Sequence, residues 1–115
     1  MLIMMCKSKI HKARVTKKEL AYQGSIGIDK KLLDAADIMP NEKVQVVNLD
    51  NGLRFETYCM GEKEDSGIIS LYGPAARLGE IDDTIIIISY GLMESKDAKN
   101  LKVKVVHVNK NNRVI

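Results

Sequence analysis

The bond between Gly24 and Ser25 is the feature of this sequence with the clearest chemical potential, because such a bond can react with itself. In a strained turn the Ser25 hydroxyl can attack the Gly24 carbonyl carbon, and glycine tolerates the backbone angles that the turn requires. The N-to-O acyl shift gives an ester, and elimination followed by hydrolysis leaves a pyruvoyl group at residue 25. A Gly-Ser pair is also an ordinary turn, and the dipeptide alone does not separate these interpretations.

A second group of reactive residues lies in the stretch Leu53–Tyr58, which predicts a strand. Alternate side chains of a strand point to opposite faces, so Arg54, Glu56 and Tyr58 share one face. Arg54 can bind a carboxylate through two parallel hydrogen bonds, and Tyr58 can transfer a proton. The alternative is an exposed sheet face that happens to carry Arg, Glu and Tyr.

Two further features have weaker chemical implications. The loop Tyr72–Ala76 is rich in small residues, which allows a ligand to approach backbone amides but is equally typical of a tight turn. His11 and His107 each lack a Cys or a second His at ligand spacing, so we expect no metal site.

Length and composition predict one domain with an aliphatic core. The chain has 115 residues, of which 45% are hydrophobic and 29% charged, and it contains no Trp and one Phe. The net charge of +3 does not by itself indicate nucleic acid. Six basic residues between Lys7 and Lys18 form a cluster whose default interpretation is a solvated face.

The sequence favours a cytoplasmic protein. It has no apolar run of about 18 residues, so no membrane span is expected. The apolar start Met1–Cys6 is short and lacks a basic lead, unlike a secretory signal. Cys6 and Cys59 are isolated and predict free thiols in a reducing compartment.

Short strands dominate the predicted secondary structure. A helix is predicted over Lys30–Ile38, capped by Asp29, and Asn51-Gly52 predicts a hairpin. The run Ile85–Ile88 predicts a strand buried on both faces, and Asn109–Ile115 predicts a loose polar tail. The predicted strands cover residues 2–6, 10–16, 26–28, 43–49, 53–58, 67–71, 84–90 and 102–108. This pattern favours a small closed barrel.

Seven stretches of the sequence form a pattern through their order and spacing, with the Gly-Ser bond in place. They are Lys9–Thr16, Tyr22–Ser25, Ile28-Asp29, Leu33–Ala36, Asn51–Tyr58, Ile68–Ser70 and Gly73–Ala76. Together they resemble the pyruvoyl-dependent aspartate 1-decarboxylase (aspartate α-decarboxylase) family over nearly the whole chain, and their order and spacing make the resemblance specific.

The resemblance implies a small six-stranded double-psi β-barrel with one or two short helices, assembled as a homotetramer with active sites between subunits. It also implies a proenzyme that cleaves itself into a chain of residues 1–24 and a chain of residues 25–115. The second chain would begin with a covalent pyruvoyl group derived from Ser25, and no metal is implied. The reaction would convert L-aspartate to β-alanine and CO2 through a Schiff base, for pantothenate and coenzyme A synthesis.

The same match implies a role for each site residue. Tyr58 would protonate the carbanion left by CO2, and Arg54 would hold a substrate carboxylate with Lys9 adding positive charge. Thr57 matches the residue that assists self-cleavage and contacts substrate. The remaining implied site residues are Gly73, Pro74 and Ala75 in the substrate loop, and Tyr22, Tyr72 and His11 with processing or pocket roles.

Three positions depart from the family pattern. Tyr72 stands where the family usually has Asn, whose amide is a natural donor to the oxyanion formed in cleavage. Pro74 replaces a small residue and has no N–H to donate. Asp82 replaces a Gly, and Asp tolerates left-handed backbone angles better than most residues.

Two alternatives remain open at this point. A swapped-hairpin DNA-binding barrel would use the basic cluster, although Glu19, Asp29 and Asp34 dilute its charge. A non-catalytic homologue is the other alternative, in which Tyr72 has abolished self-cleavage.

Overall fold

The computed structural model describes residues 1–115, and strands account for most of its regular structure. Two helices are present, α1 (Lys30–Ala36) and α2 (Ser95–Ala98), together with a 3₁₀ helix over Gly73–Arg77. The strands are β1 (Leu2–Arg14), β2 (Lys17–Glu19), β3 (Ser25–Asp29), β4 (Lys43–Asn48), β5 (Arg54–Glu62), β6 (Ile69–Tyr72), β7 (Thr84–Glu94) and β8 (Lys104–His107). The prediction of a mainly β fold with one or two short helices is confirmed.

The strands follow one another in the order β2-β6-β3-β5-β4-β7-β1-β8. The segment between β1 and β2 joins the two sides of this sheet, because Val15 N donates to Asp83 O at 3.0 Å and Thr16 N donates to Ile69 O at 2.8 Å. With β1 and β2 counted as one continuous strand, strands β1 to β7 form a ring of six. Two pairs within it, β2–β6 and β3–β5, are parallel. Strand β8 pairs with β1 outside the ring.

Aliphatic side chains fill the interior, as the lack of aromatic residues predicts. Helix α1 adds Leu32, Leu33 and Ala36 to this core. Burying one such Leu or Ile contributes about 1.5–3 kcal/mol to folding. The largest fully buried side chains of the strands are Ile10, Ile26, Ile28, Ile69, Leu71, Ile85 and Ile87.

Asp29 begins helix α1, as predicted from the sequence. Its Oδ1 accepts a hydrogen bond from Lys31 N at 2.8 Å, the pattern of an N-terminal cap. The buried carboxylate also accepts from Gly67 N at 2.8 Å. The helix ends at Ala36, two residues before the predicted Ile38, because Asp37 adopts a left-handed conformation with φ 56°.

Several predicted strand limits are wrong. The separate strands predicted at residues 2–6 and 10–16 are the single strand β1, which contains two register shifts against β7. Strand β5 continues to Glu62 and β7 to Glu94, both beyond their predicted ends. The hairpin at Asn51-Gly52 forms as predicted, with Gly52 at φ 77°. Asp82 has φ 78°, as its substitution for a Gly predicted.

The isoleucine run of β7 is buried on one face only. Ile85 and Ile87 lie in the core, whereas Ile86 and Ile88 are half-buried. The prediction of burial on both faces is therefore wrong for the single chain. Successive side chains of a strand point to opposite faces, so Ile86 and Ile88 lie on the outer face of β7. No other element of the chain fully covers this face.

The C-terminal segment is ordered, so the predicted loose tail at Asn109–Ile115 is wrong. Asn112 is buried, and its Oδ1 accepts from Arg14 N at 2.8 Å. Its Nδ2 donates to Arg14 O at 2.8 Å and to Gly67 O at 2.9 Å. These bonds attach the tail to β1 and to the loop before β6. Neither helix has the length and apolar character needed to cross a bilayer.

Candidate active site

Ser25 is the first residue of β3 and is completely buried. In the antiparallel register it lies opposite Tyr72 of β6. Its Oγ donates to the Met60 Sδ at 3.1 Å, and a thioether is only a weak acceptor. The Ser25 hydroxyl is therefore shielded from water without being held by a strong base.

The turn before Ser25 packs tightly against the start of the 3₁₀ helix. Gly73 has φ 62°, and a Cβ added there would lie 2.9 Å from the Tyr22 carbonyl oxygen and 2.9 Å from Gly24 N. A Cβ added at Gly24 would lie 3.5 Å from Pro74 Cδ. Only glycine at position 73 permits this approach of the two backbones. The loop predicted from Gly73, Pro74 and Ala75 thus lies directly against the Gly24-Ser25 bond.

A cleft of about 440 Å³ opens beside this bond. It brings together six of the residues predicted for the site, from three separate parts of the chain. Strand β5 supplies Thr57 and Tyr58, and Tyr58 is 41% exposed. The complete lining consists of Gly24, Ser25, Phe55, Glu56, Thr57, Tyr58, Pro74, Ala75 and Leu78.

Arg54 and Lys9 lie outside this cleft in the single chain. Arg54 begins β5 and its Nη1 donates to Gln45 Oε1 at 3.0 Å, an oxygen that also accepts from Tyr90 Oη at 2.7 Å. Lys9 lies on β1, opposite Ile88 and beside β8. Strands β4 and β7 separate β1 from β5 in the sheet, so one chain does not bring these two cations together.

The two histidines, expected to stand alone, lie next to each other on β1 and β8. His11 and His107 are register partners, and their ring centroids are 5.5 Å apart in an edge-to-face arrangement. Burial lowers the pKa of His11, and the charges of Lys12, His107 and Lys9 lower it further. His11 lies outside the cleft lining. No group of three or more His, Cys, Asp or Glu side chains is positioned to hold a metal ion.

Tyr72 and Tyr22 form an aromatic pair beside the turn that contains Gly24, with ring centroids 4.5 Å apart. Tyr72 is only 7% exposed, and its hydroxyl donates to Glu62 Oε2 at 2.7 Å. Burial raises the pKa of Tyr72, the Ser70 side chain opposes this shift, and the Glu62 carboxylate raises the pKa further. The sequence analysis missed Glu62, because it lies on the part of β5 beyond the predicted end at Tyr58.

The basic cluster near the N-terminus is partly neutralised by acidic neighbours. Lys7 Nζ lies 3.4 Å from Glu42 Oε2. Lys18 Nζ lies 2.8 Å from Glu80 Oε2. These pairs interrupt the continuous basic surface that a DNA-binding barrel would present.

The family model described as aspartate decarboxylase matches residues 1–115. The chain belongs to this family. An aspartate 1-decarboxylase from Thermoanaerobacter pseudethanolicus is 55% identical over 111 residues, which cover 96% of this chain and 95% of that protein. One from Carboxydothermus hydrogenoformans is 56% identical over 115 residues, which cover 100% of this chain and 91% of that protein. One from Chloroherpeton thalassium is 59% identical over 107 residues, which cover 93% of this chain and 79% of that protein.

This match confirms the resemblance to the aspartate decarboxylase family and the enzyme class, a decarboxylating lyase. It favours the enzyme over the DNA-binding alternative, in agreement with the paired lysines. The roles of the individual site residues stay predictions.

Proposed function

We propose that this chain is a self-processing aspartate 1-decarboxylase that converts L-aspartate to β-alanine and CO2. The burial of Ser25 at the wall of a cleft, directly after Gly24, is the observation that carries the proposal. The whole-length family match supports the same reaction. The product would serve pantothenate and coenzyme A synthesis in the cytoplasm, a location consistent with the free thiols of Cys6 and Cys59.

Self-processing uses groups that the chain itself contains. Ser25 Oγ attacks the Gly24 carbonyl carbon, the peptide C–N bond breaks, and the hydroxyl proton passes to the Ser25 nitrogen. The resulting ester loses the Ser25 Cα proton and expels the Gly24 carboxylate. Water then releases the nitrogen as ammonia and leaves a pyruvoyl group on the chain of residues 25–115. The chain of residues 1–24 ends at Gly24.

The residues around position 25 fit a pyruvoyl group. Phe55 and Leu78 provide apolar walls, while Thr57 and Tyr58 provide hydroxyl groups. When present, the pyruvoyl group would supply a carbonyl for the substrate amine and an electron sink for the loss of CO2. The walls limit the access of water, which strengthens polar interactions inside the cleft.

Tyr58 is the proposed proton donor of the chain. Tyr58 is an exposed side chain that lines the cleft. Its hydroxyl group protonates the carbon from which CO2 departs. Thr57, half-buried on the same strand, contacts the substrate and assists cleavage. Pro74 and Ala75 close the opposite side of the cleft.

The substrate carboxylate site requires a second copy of the chain. Arg54 and Lys9 lie outside the cleft that contains Ser25, so another subunit supplies them in the proposed homotetramer. The outer face of β1 and β7 exposes Leu2, Met4 and Leu92, which is typical of a surface that contacts another protein. The half-buried outer isoleucines of β7 extend this face.

Incubation of the purified protein with L-aspartate tests the proposed reaction. We expect equal amounts of CO2 and β-alanine from the wild type, measured by gas release and amino-acid chromatography. The Ser25→Ala variant cannot form the pyruvoyl group and should release neither. Turnover by Ser25→Ala, or no release of CO2 by the cleaved wild type, would contradict the proposal.

A further inference from the structure

Glu62 and Tyr72 form a hydrogen-bonded pair beside the cleavage turn. The Tyr72 hydroxyl donates to Glu62 Oε2 at 2.7 Å, and Ser70 also lies close enough to this hydroxyl to influence its pKa. Tyr72 is almost completely buried, so loss of Glu62 would leave its hydroxyl without the carboxylate acceptor to which it now donates. The position of the Tyr72 ring therefore depends on the Glu62 side chain.

Gly27 gives the Glu62 side chain the space it occupies. A Cβ at Gly27 would lie 2.8 Å from Glu62 Cδ and would also overlap its Oε2. The Glu62 carboxylate thus lies flat against the backbone of β3, two residues after Ser25. Any larger residue at position 27 would move the carboxylate away from this place.

The Tyr72 ring and the residue after it contact the cleavage turn. Tyr72 packs on Tyr22 with ring centroids 4.5 Å apart, and it is the register partner of Ser25. Gly73 then touches the backbone of Gly24. A displacement of Tyr72 is consequently passed to residues on both sides of the Gly24-Ser25 bond.

We propose that Glu62 is a positioning residue for self-cleavage, which holds Tyr72 and thereby fixes the geometry of the Gly24-Ser25 turn. This inference rests on the proposed function, since it concerns the rate of the cleavage that creates the active site. Glu62 acts only through Tyr72. Its carboxylate is needed as a hydrogen-bond acceptor and not as a charge.

The test is the rate of conversion of newly made full-length chain to its two fragments, followed by intact mass. Glu62→Ala should cleave about tenfold more slowly than the wild type, the scale expected for the loss of one part-buried hydrogen bond to a carboxylate. Glu62→Gln keeps an acceptor oxygen and should stay within about threefold of the wild type. Gly27→Ala displaces the carboxylate without removing it and should cleave more slowly than Glu62→Gln. Glu64→Ala, an exposed acidic position two residues away, is the matched control and should cleave at the wild-type rate.

A double variant distinguishes positioning through Tyr72 from a general effect on the fold. Once Tyr72→Phe has removed the hydroxyl, the further change Glu62→Ala should slow cleavage by less than about twofold, because the two residues act as one unit. The role of Glu62 would be overturned if Glu62→Ala cleaved at the wild-type rate or if Glu62→Gln cleaved as slowly as Glu62→Ala. It would also be overturned if the effects of the two changes multiplied in the double variant. None of these outcomes would contradict the proposed function. A wild-type chain that stays whole would overturn the inference together with the proposed function.

Discussion

Gly73 lies so close to Gly24 that a Cβ at position 73 would be 2.8 Å from Gly24 Cα. The contact connects the loop after β6 with the bond that is proposed to cleave itself. Both the left-handed φ of Gly73 and the lack of space beside it require glycine.

The variant Gly73→Ala is therefore expected to block self-cleavage. The methyl group forces Gly24 to move, in addition to a backbone cost of about 1–2 kcal/mol for a left-handed alanine. Gly52→Ala is the matched control, because Gly52 has φ 77° but open space around its Cβ position. We expect the control to cleave normally when both variants are followed by intact mass. Equal cleavage of the two would show that the Gly73–Gly24 contact is not required.

Tyr58→Phe should separate maturation from turnover. Tyr58 lines the cleft and is the proposed proton donor, so loss of its hydroxyl should slow decarboxylation by about 10²-fold or more. Cleavage after Gly24 should continue. The measurement is CO2 release per borohydride-reducible carbonyl, which counts only matured chains, with Glu64→Ala at an exposed position outside the cleft lining as the control. An unchanged rate in Tyr58→Phe would remove Tyr58 from this role.

Arg54 should act on the substrate of a neighbouring subunit. Arg54→Ala homo-oligomers should lose most activity, and Ser25→Ala homo-oligomers should have none. When the two variants are made together, some clefts combine Ser25 from one chain with Arg54 from another, and activity should return. Mixed oligomers that are no more active than Arg54→Ala alone would mean that each chain uses its own Arg54.

The lowered pKa of His11 predicts a loss of stability in mild acid. Burial and the nearby cations make its folded-state pKa lower than its unfolded value of 6.5, so the unfolded chain binds the proton more readily. The contribution of neutral His11 to the free energy of unfolding is therefore present above pH 6.5 and is lost as the pH falls below this value. Urea unfolding measures the free energy of unfolding at pH 7.5 and at pH 5.5. The difference between these two values should be smaller for His11→Asn than for the wild type. An equal difference in both proteins would contradict the assignment of this pH dependence to His11.

Local signals in the sequence correctly predicted local structure. Asp29 caps α1 and Asn51-Gly52 turns a hairpin, because each depends on backbone groups a few residues away. The left-handed φ of Asp82 was likewise predicted from a local signal. The sequence alone marked Gly24-Ser25, Tyr58 and the loop after β6 as candidates, but only the family resemblance predicted that they lie together, since they meet through strand pairing.

Long-range partners account for what the sequence did not predict. Asn112 binds Arg14, 98 residues away, and no local pattern marks a tail residue for burial. The His11–His107 contact likewise depends on the parallel register of β1 and β8. Glu62 was missed because alternation alone did not show how far β5 extends.

Intact mass of the purified wild-type chain is the most direct test of self-processing. The account predicts two polypeptides, residues 1–24 and residues 25–115, of which the longer gains the mass of H2 on treatment with borohydride. A single uncut chain after prolonged incubation, or a cut chain whose longer fragment still begins with serine, would contradict it.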